Sequence, residues 1–199
     1  MKLMNSIWRF KKNFPVSKFK QNYFAFGSLL FAALLSVWPM RTLIVNGMFW
    51  HMDFQMPLLI LAGASFKIDY ALPEMLDKVN LFGLTSFFAT QTILAYWMLP
   101  LSVDKAIIDW RYDVVKIVSL VICGYLIKVS FKRTTTVIEI FFLGFFISMT
   151  IVVGYFYMTS PTRLCNVYTL DSQILAGQGL IVIAVFLSIT WALIRILSK

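Results

Sequence analysis

The chain has 199 residues, of which 60% are hydrophobic and 14% charged, with a formal net charge of +9. Soluble globular domains carry nearer a quarter charged residues, so this balance excludes an ordinary soluble domain and points to a membrane protein. The charges gather in short clusters between long apolar runs, as a hydrocarbon slab requires, because an unpaired charge at its centre is costly.

In chain order, residues 1–22 are a basic segment holding Lys2, Arg9, Lys11, Lys12, Lys18 and Lys20, expected on the cytoplasmic side. The apolar run 23–40 follows. A basic start before an apolar run resembles a signal peptide, but residues 26–40 offer no small-x-small cleavage site and Trp38-Pro39-Met40 is bulky, which predicts an uncleaved signal-anchor. A second run, about 46–66, is interrupted by His51 and Asp53 and is cleanest from Met56 to Phe66. Four more runs occupy about 82–101, 114–131, 135–158 and 174–195. A span needs about 20 mostly apolar residues, and backbone groups in lipid find partners only within a helix or a closed barrel. The expected fold is therefore all-α, a polytopic transmembrane bundle of about six spans over residues 23–199.

With the N-terminus inside and the spans alternating, the cations of the outer segments are Arg41, Lys105, Arg111, Lys116 and Arg163. The other thirteen of the 18 lie inside. That bias predicts both termini in the cytoplasm and fits a multi-pass protein of the bacterial inner (plasma) membrane. Topology and attraction to anionic membrane lipids account for the positive charge, so no nucleic-acid partner is expected.

In this topology Met40, Met48, Met52, Met56, Met98 and Met158 fall at or near outer helix ends. So do Asp53, Asp104, Asp109, Asp113, Asp171 and the single histidine, His51. Thioether and imidazole donors suit Cu(I), whereas carboxylates suit harder ions. The candidate copper ligands are His51, Met52, Met56, Met98 and Asp171. The alternative is that the methionines fill apolar packing and the aspartates cap helices or stay hydrated. If residues 46–56 are helical, Met48, His51, Met52 and Gln55 share one stripe. A short interfacial piece ending near Gln55, with a fresh helix from Pro57, fits the proline equally well.

The run His51-Met52-Asp53-Phe54-Gln55-Met56-Pro57-Leu58-Leu59 resembles the His-Met-x-x-His-Met stretch and following Pro-Leu-Leu run of the CtaG family of cytochrome c oxidase assembly factors. Trp97-Met98-Leu99-Pro100 is similar to that family's Trp-His-x-Pro, with Asp104-Lys105-Ala106 beyond it. Leu170-Asp171-Ser172-Gln173-Ile174-Leu175-Ala176-Gly177 is similar to its Asp-Gln-x-x-Ala-Gly segment. The matches keep the family's order over about 47–195. Gln55 and Met98 stand where the family has histidines, the stretch 109–113 carries none, and Ser172 is inserted. The resemblance implies a helical membrane fold, an oxidase-assembly neighbourhood, and other subunits of a respiratory or copper-containing membrane complex as partners.

Other polar residues carry expectations of their own. Glu139 is read as a charge at a helix N-terminus within reach of Lys132, while Gln91 and Gln178 are read as hydrogen-bonding glue between helices. Trp38, Trp50, Trp97 and Trp110 are expected to form an outer aromatic belt, and Asp104, Asp109 and Asp113 to lie near one another. Cys123 in the fourth span and Cys165 in the last outer loop are not expected to pair. No Ser-His-Asp set and no phosphate-cradling glycine loop is present, so an enzyme is not expected. Three functional classes follow: a copper-handling assembly factor for a respiratory oxidase, a non-catalytic accessory subunit that has lost metal binding, and a small transporter.

Overall fold

A computed structural model describes residues 23–34, 42, 46–66 and 78–197. The basic segment 1–22 and the later part of the first expected span, with Trp38 and Met40, lie outside the described residues. Within them the chain is all-helical apart from short junctions and the connection 160–169, with no strand. The α-helices are α1 (Tyr23–Leu34), α2 (Met56–Ser65), α3 (Leu84–Trp97), α4 (Pro100–Ile108), α5 (Trp110–Arg133), α6 (Thr136–Thr159) and α7 (Leu170–Leu197). A π-helical turn, Trp50–Gln55, leads into α2, and a 3-10 turn, Leu81–Gly83, leads into α3.

Local chemistry sets these boundaries. Asp109 caps α5, its Oδ1 accepting from the Arg111 N–H at 2.9 Å. Asp113 in the first turn and Lys132 and Arg133 in the last complement the helix dipole. Pro100 removes a donor and disfavours helix just before itself, and α3 stops at Trp97 with Leu99 extended. Three helices are long and apolar enough to cross a membrane: α5 and α6 with 24 residues each and α7 with 28. At 1.5 Å per residue they reach about 36–42 Å, beyond the roughly 30 Å hydrocarbon core.

Two expected spans take a different form. The run 82–101 is not one helix: Phe82 and Gly83 have positive φ (54° and 74°) before α3 begins, and Pro100 ends it early. Gly83 is required there, because a Cβ would lie 2.8 Å from the Ser130 Cα. The run 46–66 is helical without a break across Pro57, from 48 to 65. Met56 keeps helical dihedrals (φ −64°, ψ −48°) although a proline follows it. A straight α-helix would drive the Pro57 ring into the carbonyl of Asp53; the wider π turn immediately before it takes up the mismatch.

The helices pack as a ring. The order is α2, α5, α3, α6 and α7, and α7 returns to the π turn that precedes α2. Helix α1 lies against α2, with Phe26 edge-on to Phe66 at 5.5 Å. Two contacts are backbone against backbone. A Cβ on Gly63 would overlap the Val121 carbonyl oxygen, and one on Gly124 would overlap that of Ile60. Between α6 and α7, a Cβ on Gly177 would stand 2.6 Å from the Gly154 oxygen. Such small-residue contacts draw membrane helices together where burial against lipid offers little drive. Helices α3 and α6 join through stacked Phe87 and Phe142 (4.7 Å) and a Gln91 amide donating to the Phe142 carbonyl at 2.8 Å.

Candidate functional site

One end of the ring, the capped end, holds the N-termini of α5 and α7, the π turn, α4 and the connection 160–169. Its centre is Lys116, one and a half turns into α5 and wholly buried. The ammonium bonds to Asp113 Oδ1 at 2.6 Å, one turn earlier on the same helix. It donates to Gln55 Oε1 at 3.0 Å and approaches His51 Nε2 at 3.1 Å, both on the π turn. An ammonium has three donors and no lone pair, so Nε2 must accept and the ring proton sits on Nδ1. Three acceptors thus surround one cation between α5 and the π turn, which is what makes a buried charge tolerable.

A hydrogen-bonded roof covers this cluster. Asp104 on α4 accepts from the Asn166 N–H at 2.8 Å, the Asn166 amide at 3.2 Å and the Val167 N–H at 3.5 Å. Gln173 on α7 accepts from the Leu164 N–H at 2.8 Å and donates to the Tyr157 carbonyl at 3.0 Å. Tyr157 donates to the Met98 carbonyl at 2.7 Å, which the break before Pro100 leaves without a helical donor. The Met48 N–H donates to Ser172 Oγ at 2.6 Å, tying the start of the π-turn segment to α7. Tyr168 is edge-on to the His51 ring at 6.4 Å. In this roof, burial and the nearby Asp104 push the Cys165 thiol up to about 12. Burial, then Cys165 and Asp104, push the Tyr168 hydroxyl above the usual tyrosine range as well. Both cysteines are free.

The expected copper ligands fall in different surroundings. His51, Met52 and Met56 are buried, and the two methionines belong to one apolar core with Met48, Trp97, Leu120 and Tyr157. Met98 packs against that core half-buried. Asp171 is exposed in the first turn of α7. Among the described residues no group of three or more His, Cys, Asp or Glu side chains is placed to share a metal ion. The imidazole nitrogen turned into the site faces an ammonium 3.1 Å away, and a metal cation there would meet that charge at close range.

Other residues resolve differently from their sequence reading. Lys116, counted among the outer topological cations, is the centre of the cluster. Asp104, Asp109 and Asp113 serve three separate purposes: roof, cap and ammonium partner. Trp97 is buried at 2% exposure, its indole donating to Ser119 Oγ at 2.8 Å, so it is not part of a lipid-facing belt; Trp50 and Trp110 are exposed. Glu139 pairs with Arg195 across α6 and α7, because the last turn of α7 ends beside the first turn of α6. Gln91 bridges helices, whereas Gln178 is exposed. Asp53, on the π turn, has both carboxyl oxygens buried without a hydrogen-bond partner and rests against α7, where a Cβ on Gly179 would lie 2.8 Å from its Cγ.

The sequence carried a signal for Lys116 that composition hides. Lys116, Leu120, Gly124 and Lys128 recur every four residues in α5, a stripe that must face one neighbour. Comparison of the chain with protein-family models, curated proteins and solved structures returns no match.

Proposed function

We propose that this chain is a non-catalytic accessory subunit of a larger membrane complex, held in the bacterial inner membrane by six spans with both termini inside and the capped end outward. The observation that carries the reading is the closed Lys116 cluster. The residues that would supply chemistry at the capped end, His51, Gln55 and Asp113, are joined through the Lys116 ammonium, and side chains so engaged hold geometry rather than turn over a substrate. Asp104 and Gln173 are likewise engaged in holding the roof. What such a molecule offers a partner is a rigid outer surface and long lipid-facing helices. The oxidase-type neighbourhood rests on the resemblance of residues 47–195 to the CtaG family.

Purification in a gentle detergent, with mass spectrometry and metal analysis of the same fraction, tests this. The expected result is co-migration with larger membrane proteins and no stoichiometric copper. A solitary monomer would overturn the accessory role. Copper at about one per chain, lost in Met52→Ala or His51→Ala, would restore the copper-handling reading in its place.

A further inference from the structure

We infer that the 46–66 segment is a dependent span, kept in the membrane by α5 through a clamp that acts at three depths. The segment needs such help. It carries His51, Asp53 and Gln55 on its π turn and a proline after it, and polar groups at membrane depth favour leaving the bilayer unless another helix satisfies them.

Helix α5 meets it along a single stripe. At the capped end the Lys116 ammonium takes up Gln55 Oε1 and His51 Nε2. At mid-length Gly124 and Gly63 bring the two backbones together so closely that neither position has room for a Cβ. At the other end Lys128 donates to the Phe66 carbonyl at 2.8 Å, which α2 leaves without a helical donor as it stops. Lys116, Gly124 and Lys128 are eight and four residues apart, so one face of one helix supplies all three. Leu120, buried at 1% exposure, fills the interval. Residues 46–66 are synthesised before α5, so the segment becomes stably seated only once α5 has arrived. This rests on the reading of 46–66 as a span, though not on the accessory role.

The test is labelling of Leu61→Cys, a position on the exposed side of α2, by a membrane-impermeant maleimide added to intact cells, in a Cys123→Ser, Cys165→Ser background. With the clamp intact the thiol is shielded. Lys116→Met is expected to raise labelling at least tenfold. Lys116→Met combined with His51→Leu and Gln55→Leu, which removes the two groups of the segment itself that the ammonium satisfied and leaves only Asp113 on α5, is expected to restore shielding. If Lys116→Met fails to accumulate, recovery of both accumulation and shielding in the triple variant supports the inference equally. Unchanged shielding in both Lys116→Met and Gly124→Leu would overturn it, as would a triple variant labelled as strongly as Lys116→Met. Strong labelling with the clamp intact would instead remove the span reading beneath it.

Discussion

At the scale of single residues, Lys116 decides most. Removing one partner of a buried ion pair leaves the other uncompensated and costs about 3–5 kcal/mol. Lys116→Met, similar in length but uncharged, takes the ammonium away from Asp113, Gln55 and His51. It is expected to lower the thermal stability of the detergent-purified protein by a corresponding amount, and adding Asp113→Leu is expected to recover part of it. Lys116→Arg is expected to fall between, since a planar guanidinium keeps the charge but does not reproduce three tetrahedrally placed bonds. Equal stability of Lys116→Met and wild type would remove the cluster from the account. Cys165 gives an independent check of the roof. Its thiol is pushed up to about 12 by burial and by Asp104, and the thiolate is the reactive form. The folded protein is therefore expected to react slowly with maleimide at pH 8–9, and fast once denatured. The linked stability has a definite sign. With the folded value above the unfolded one of 9.0, this contribution is complete below about pH 9 and is lost as pH rises toward about 12. The importance of Lys116 was hard to read in the sequence because its neighbours Val114, Val115, Ile117 and Val118 look the same whether the lysine stands at a membrane boundary or inside a bundle.

At the scale of elements, hydropathy located the long helices well. The runs 114–131, 135–158 and 174–195 became α5, α6 and α7 with ends shifted by at most four residues, because an apolar run of that length has few alternatives in lipid. It could not see the break after Trp97 or the turn at Phe82 and Gly83, since Phe, Leu and Pro all count as apolar there. Nor could it assign the glycines, whose roles depend on which helix comes near. The structure grades them. At Gly144 a Cβ would meet open space, so Gly144→Ala is expected to be neutral or to stabilise by up to about 1 kcal/mol through helix propensity. At Gly179 it would press on the side chains of Asp53 and Phe49, which can shift; at Gly177 it would stand 2.6 Å from a backbone oxygen. Melting temperatures in one detergent are expected to fall in the order Gly144→Ala, Gly179→Ala, Gly177→Ala. A reversal of the last two would mean that the α6–α7 contact is looser than it stands here.

At the scale of the whole molecule, orientation is the property on which the outward roof and the partner-facing surface depend, and it can be measured directly. Thirteen of 18 cations lie on one side of the expected topology, and such bias fixes the cytoplasmic face. Lys116 now leaves the tally of the other side, because it is buried in the bundle rather than displayed in a loop, so the asymmetry sharpens. In the proposed orientation the capped end faces outward, and the end carrying Lys132, Arg133 and the Glu139–Arg195 pair faces the cytoplasm. Thr162, exposed in the connection between α6 and α7, and Lys132, exposed at the end of α5, report on the two faces. In a Cys123→Ser, Cys165→Ser background, Thr162→Cys is expected to react with an impermeant maleimide on intact cells. Lys132→Cys is expected to react only after permeabilisation. The opposite pattern would place the roof in the cytoplasm and, with it, the surface through which a partner would have to be met.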